Sequence, residues 1–334
     1  MSAAKYSALM ETVRRGALFF ILAAAIQGAA AAELAKYPER PIRMIVPQAP
    51  GSSSDTIARI VAAELTRQLG QQVVVDNRPG GALMIGMELT ARAVPDGYTI
   101  GYAPIGALAI SPHLVRKVPF DTRKDFQPIA QTANGQMLLA ASANGPFKTV
   151  REVIDYARQN PDKLSFASSG NGTPGHVGFE LFKAMTGTRI VHVPYKGGAA
   201  GIADLIAGQV QLMLEGMNSI TPHAKAGRVR SLAVSGARRS DALPEVPTIA
   251  EAGVPGYEAS TWNGIVGPVG VPPEIVAKLN SEINKALVSS TVRERFAAIG
   301  AEPAPVTPEQ FGKLIRTEYA KWADVVKRSG ARID

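Results

Sequence analysis

Residues 43–70 read Arg43-Met-Ile-Val-Pro-Gln-Ala-Pro-Gly-Ser-Ser-Ser-Asp-Thr-Ile-Ala-Arg-Ile-Val-Ala-Ala-Glu-Leu-Thr-Arg-Gln-Leu-Gly70 and hold the architecture in miniature. Arg43 to Val46 is a short apolar run stopped by Pro47, the pattern of a buried strand. From about Ser54 to Leu69, the residues Ile57, Ile60, Val61, Leu65 and Leu69 fall on one face at helical spacing, and Gly70 stands where a C-terminal cap belongs. Between strand and helix lies a polar loop, Pro47 to Asp55. Ligands of open α/β sheets sit where strands end and helices begin, and free N–H groups at helix starts favour anions. Gly51 permits close backbone approach, and Ser52, Ser53 and Ser54 add hydroxyl donors. Capping by Ser54 or Asp55 accounts for part of this loop, but three serines exceed what a cap needs.

The same alternation continues in both directions of the chain. Gln72 to Val75 is a strand, a helix runs through Leu89, Pro95-Asp96-Gly97 is a turn and Tyr98 to Tyr102 a strand. A second series starts near Met137 to Ala140. It holds a capping box, Thr149-Val-Arg-Glu152, heading a helix to Gln159. Strands at Leu164–Ala167, Ile190–Val193, Gln211–Leu214 and Val229–Val234 alternate with helices at Val177–Met185 and around Ile202–Ile206. Strands alternating with helices of this length predict parallel sheets covered on both faces. Two series predict two α/β lobes: residues 33–138 with 238–334 as the first, and 139–237 as the second. The Pro- and Gly-rich stretch Pro244 to Pro273 reads as the return, and helices at Glu274–Val288, Val292–Ile299 and Pro308–Arg328 complete the first lobe. The last has Thr307 as N-cap and Pro308 in its first turn.

The chain has 334 residues, 46% of them apolar and 19% charged, enough for two packed domains. It has no cysteine, which removes disulfides, thiolate metal sites and cysteine nucleophiles. The net charge of +8 includes no run of five or more Lys or Arg, so the excess reads as solvated surface with anionic small ligands, not nucleic acid. Residues 1–32 read as an export signal: Lys5, Arg14 and Arg15 precede an apolar stretch, Gly16 to Ile26, too short to span a bilayer, and small residues follow to Ala32, near which cleavage is expected. Their removal also takes Glu11 and leaves a net charge of +6. Gly16-Ala17 stand where a twin-arginine signal usually has a bulky residue, so ordinary secretion to the periplasm is the reading.

Two further strand-to-helix loops carry candidate ligand groups. Ser168-Ser-Gly-Asn-Gly-Thr-Pro-Gly-His176 contains a Gly-x-Gly-x-x-Gly pattern, but no acid ends the following strand to hold a ribose, so a helix-start nest for a carboxylate fits better than a dinucleotide site. Val193-Pro-Tyr-Lys-Gly-Gly198 offers Tyr195 and Lys196, which either face a ligand or cover the lobe. Enzymatic readings find little support. His113, His176, His192 and His223 share no metal-ligand spacing. Ser168, His176 and an Asp can be drawn into a hydrolase triad on paper, but the chain lacks a Gly-x-Ser-x-Gly elbow. No catalytic residue, metal or organic cofactor is expected.

In these loops the sequence resembles the substrate-binding receptors of tripartite tricarboxylate transporters, the Bug receptors. The likeness starts at Tyr37-Pro-x-Arg-Pro-Ile-Arg43 and continues through Val75-Asp-Asn-Arg-Pro-Gly80, Asp96-Gly-Tyr98, Ser168–His176 and Val193–Gly197. It ends with Leu243-Pro-Glu-Val-Pro-Thr-Ile-Ala-Glu-Ala-Gly-Val-Pro-Gly-Tyr257 and Trp262-x-Gly264. The resemblance implies two Rossmann-like lobes with a ligand cleft between them, a type II-like periplasmic binding protein. It implies a carboxylate held by the first two loops through backbone groups and water. On this chain those positions are Pro50, Gly51, Ser52, Ser53 and Ser54, and Ser168, Ser169, Gly170, Gly172, Thr173 and His176, with Tyr195 and Glu215 also counted as ligand-binding. Asp55 is read as support for its loop. Tyr102, Ala103, Ile105 and Trp262 are candidates for the distal pocket. The chain departs from the family in four places: Ser52 stands for a second glycine, Glu215 for the usual Asp, Ala200 for a common Pro, and Gly81-Ala-Leu-Met84 for smaller residues. The expected function is capture of a small carboxylate for the membrane subunits of such a transporter, by a monomer. A receptor feeding a sensory partner is the alternative and a secreted hydrolase the remote one.

Overall fold

The computed structural model describes residues 37–329. The expected export signal lies outside these residues. The chain divides at Glu39, and the unit beginning at Arg40 holds both β-sheets.

The first sheet grows around β1 (Ile42–Val46), flanked in parallel by β2 (Val73–Asn77) and β3 (Thr99–Pro104). A strand with neighbours on both edges and helices on both faces is apolar almost throughout, and four of the five β1 residues are buried. Helix α1 (Ser53–Leu69) makes the crossover to β2, and Gly70 ends it at φ 66° with its N–H on Thr66 O. The helix starts one residue earlier than expected, and its cap is Ser52, not Ser54 or Asp55: the Ser52 hydroxyl oxygen accepts from Asp55 N–H at 3.3 Å. A 3-10 turn (Gly81–Leu83) and α2 (Met84–Ala91) lead to β3.

The sheets are not wholly parallel. Strand β10 (Thr261–Pro268) inserts antiparallel between β3 and β4 (Phe126–Gly135), and the short β11 (Glu302–Pro303) flanks β4, giving the order β11-β4-β10-β3-β1-β2. The stretch Pro244–Pro273, expected as a plain return, therefore contains a central strand. The second sheet comprises β5 (Met137–Ser142), β6 (Ser165–Ser168), β7 (Val191–Pro194), β8 (Leu212–Gly216) and β9 (Val229–Val234), in the order β7-β6-β8-β5-β9. Here β6 is parallel to β7 and β8, while β5 is antiparallel to β8 and β9. Helices α3 (Val150–Gln159), α4 (Pro174–Thr186), α5 (Gly198–Ala207) and α6 (Met217–Lys225) cover it. The Thr149/Glu152 capping box heads α3.

Each sheet with its helices is a lobe. Only Gln136 separates β4 from β5, so the chain steps directly between them. Met137 and Leu138, expected in the first lobe, pair with Gly216 and Glu215 in the second sheet. Helices α7 (Pro273–Val288), α8 (Ser290–Ala298) and α9 (Pro308–Ser329) follow β10. Helix α9 packs on β4 and on a π-helical turn (Gly106–Ile110) of the first lobe, and also on α4 of the second. One apolar core consequently runs through both lobes, from Leu108, Phe126 and Val266 to Leu139, Phe166 and Leu212, with Trp322 of α9 fully buried in it. Among the described residues no helix is long and apolar enough to cross a membrane.

Candidate ligand cleft

Parallel strands deliver their carboxyl ends, and hence their strand-to-helix loops, to the seam between the lobes. The β1–α1 loop meets the β6–α4 loop there, and two cavities open between them. An inner cavity of about 40 Å³ is lined by Ser53 and Ser54 of α1, by Ile105, Trp262 and Asn263 of the first lobe, and by Ser169, Thr173 and Glu215 of the second. An outer cavity of about 510 Å³ is lined by Ala49, Gly80, Ala82, Gly170, Tyr195 and Lys196 among others. Gln48, Leu83, Ser169 and Thr173 line both, which makes the two spaces neighbours.

The serines of the first loop divide their work. Ser52 is buried as the cap. Ser53 reaches across the seam: its hydroxyl donates to Asn218 Oδ1, and Asn218 Nδ2 donates back to Ser53 O at 2.8 Å. Ser54 donates to Asn263 Oδ1 at 3.1 Å. Pro50 and Gly51 are exposed and line neither cavity, and the Gly51 N–H is taken up by Asp55 Oδ2 at 2.8 Å. Asp55 also accepts from Asn77 Nδ2 and Arg59 Nε, so its carboxylate ties loop, helix and β2 together. Burial works to raise its pKa, but the hydrogen bonds from Arg59, Asn77 and Gly51 outweigh this and hold it below the usual value.

The second loop is held from beneath. Ser168 is fully buried, and its Oγ lies 2.7 Å from His192 Nε2. Gly170 N–H donates to Ser168 Oγ, Gly172 N–H donates to His176 Nδ1 at 3.3 Å, and Thr173 Oγ1 donates to Gly170 O at 2.7 Å. The His176 and His192 rings stack at 4.2 Å, and His192 stacks on Phe166 at 4.7 Å. Burial, helped by Lys183, drops the His176 pKa to about 4, and burial with His176 and Lys183 drops His192 to about 3, so both are neutral. Ser168, Gly172 and His176 line neither cavity and form a floor. Ser168 meets His192 and not His176, so the paper triad is not assembled.

Of the expected distal residues, Ile105 and Trp262 line the inner cavity. Tyr102 and Ala103 do not: both are fully buried, and the Tyr102 hydroxyl lies 3.2 Å from Thr132 Oγ1 inside the first lobe. Tyr195 faces the outer cavity, but its hydroxyl donates to Asp204 Oδ2 at 2.6 Å; burial and that carboxylate push its pKa up to about 12. Glu215 is 5% exposed and accepts from the Ser169 and Ser219 hydroxyls. Burial raises its pKa against those hydrogen bonds.

Two residues at the seam, Gln48 and Asn218, carry no signal in the sequence that marks them as ligand groups. Gln48 lies inside the Pro47–Asp55 loop and lines both cavities. Asn218 lies just past the β8–α6 junction, a place the strand-end rule points to, but Pro222 hid the helix that follows. Two buried polar atoms of the inner cavity's walls have no partner among the described residues: Gln48 Oε1 and the Trp262 indole N–H.

The sequence profile described as tripartite tricarboxylate transporter family receptor (TctC) matches residues 57–331. Protein BugT of Bordetella pertussis is 37% identical over 315 residues, 94% of this chain and 96% of that protein. The solved structure of Rpa4515 from R. palustris with adipate is similar at a TM-score of 0.86, with 38% identity over 89% of this chain and 100% of its own. The structure of the periplasmic binding protein BugD is similar at a TM-score of 0.84, with 32% identity over 89% of this chain and 99% of its own.

Proposed function

We propose, from the premise that this chain belongs to the tripartite tricarboxylate transporter receptor family, that it captures a small carboxylate between its lobes and delivers it to the membrane subunits of such a transporter. The observation that carries the reading is the pair of helix starts facing each other across neighbouring cavities, α1 from one lobe and α4 from the other. Helix starts present unpaired N–H groups and a positive dipole end to an anion. On this reading Ser53, Ser54, Ser169, Gly170 and Thr173 contact the ligand. Ser52, Asp55, Ser168 and His176 shape the two loops, and Ile105 and Trp262 close the inner end. Rpa4515, with adipate in its structure, supports an acid as ligand. The receptor works in the periplasm as a monomer, and no catalytic step is assigned to it.

The test is a thermal-shift screen of the purified exported protein against di- and tricarboxylates, aromatic acids and amino acids. A ligand present at a hundred times its Kd adds about 2.7 kcal/mol to stability, which raises the melting temperature by a few degrees. A panel in which no acid moves the melting curve overturns the reading.

A further inference from the structure

Glu215 poses a charge problem in a cleft built for anions. It stands at the end of β8, is 5% exposed and lines the inner cavity. Its oxygens accept from the Ser169 hydroxyl and the Gly216 N–H, the Ser219 hydroxyl is shared between it at 3.2 Å and Gly216 O at 3.0 Å, and no Lys or Arg of the described residues is ion-paired with it. Burial raises its pKa, so the ionised carboxylate lacks the cation that would stabilise it there. Hydrogen bonds from neutral groups leave its charge uncompensated, and a buried charge without a counter-charge is costly. The other two unfinished groups in the same walls are the acceptor Gln48 Oε1 and the donor Trp262 N–H.

A plain dicarboxylate completes this set badly. It offers an acceptor for the indole N–H but no donor for Gln48 Oε1, and it brings a second negative charge against Glu215. We propose that Glu215 is a specificity-determining residue that selects a ligand carrying an ammonium group beside its carboxylate, an amino-acid-type acid. The ammonium donates to Glu215 and Gln48 Oε1, and the carboxylate takes the Trp262 N–H and the helix starts. An inner cavity of about 40 Å³ admits a head group of this size and not a side chain, so the remainder of the ligand extends into the outer cavity. The inference rests on the carboxylate-capture reading and narrows it.

Calorimetric titration of the purified exported protein with matched pairs tests it: L-glutamate against glutarate, L-aspartate against succinate, L-phenylalanine against 3-phenylpropanoate. The expected result is that the aminated member of the pair that binds best is at least about tenfold tighter, the size of one charge-assisted contact. Glu215→Gln, checked for folding by its melting curve, is expected to bring that pair to near equality by weakening the aminated member. Ser219→Ala, which removes one donor to the same carboxylate, gives a milder loss of the same preference if Glu215→Gln fails to fold. Amine-free acids that bind as tightly as their aminated partners overturn the inference and leave carboxylate capture standing. A preference that survives in Glu215→Gln overturns the assignment to Glu215. Failure of all six compounds to bind counts against the receptor reading itself and takes the inference with it.

Discussion

Ala82 and Leu83 sit at φ 53° and 74°, a left-handed conformation that costs a residue with a Cβ about 1–2 kcal/mol. They follow Gly80 and Gly81, also at positive φ, and Ala82 and Leu83 form a wall of the outer cavity with Gly80. Ala82→Gly is therefore expected to raise stability by about 0.5–1 kcal/mol after the entropy glycine adds to the unfolded chain is taken off; a urea midpoint that falls would contradict it. The histidine floor gives a pH signature. His176 and His192 are neutral when folded, with pKa values of about 4 and about 3, against about 6.5 in an unfolded chain. As pH falls the unfolded state takes protons first. Their contribution is whole above about 6.5 and drains between there and about 4, then about 3. His192→Phe keeps the ring stack and is expected to flatten the melting temperature against pH in that window; an unchanged slope rules the floor out as its source. Asp55 acts lower, since its folded pKa lies below the usual carboxylate value. At this scale the sequence was legible as to which loops matter and illegible as to which side chains turn inward. Ser52, Ser53 and Ser54 are adjacent and chemically identical, yet one caps, one bridges the lobes and one holds Asn263 within its own lobe.

Helix caps separate local stability from cleft geometry. Ser52→Ala and Thr149→Ala each remove a side-chain cap worth about 1 kcal/mol. Both are expected to lower the melting temperature by similar amounts. Only Ser52→Ala is expected to weaken ligand binding as well, because α1 begins in the cleft and α3 does not. Equal effects on binding would mean the α1 start has no part in it. The elements most readable from sequence were those with clean periodicity, such as α1 and the capping-box helix α3. Strands β4 and β10 were not readable. Their sequences, Phe-Gln-Pro-Ile-Ala-Gln-Thr-Ala-Asn-Gly135 and Thr-Trp-Asn-Gly-Ile-Val-Gly-Pro268, break alternation with proline and glycine, and their pairing shifts register twice. Gly264 has a packing cause no pattern reveals: a Cβ there would come within 2.1 Å of the Phe311 ring from α9. Gly264→Ala is expected to cost about 1–3 kcal/mol through overpacking.

A core continuous through both lobes makes the molecule one cooperative unit. Calorimetry without ligand is expected to give a single transition despite the two sheets, and two resolved transitions would refute that. Asn218→Ala removes the latch from Ser53 and is expected to weaken binding with little change in melting temperature, because it acts on closure and not on either core. Helix α9 joins the two lobes. It packs on both at once, against β4 and the π-helical turn on one side and α4 on the other. A helix held by both lobes is expected to act as the fulcrum, so that opening swings about it like a book about its spine, widest along the edge opposite α9. Cargo would then enter and leave along that far edge alone, so any membrane partner that empties the receptor has to grip the free margins of the lobes and leave the spine untouched.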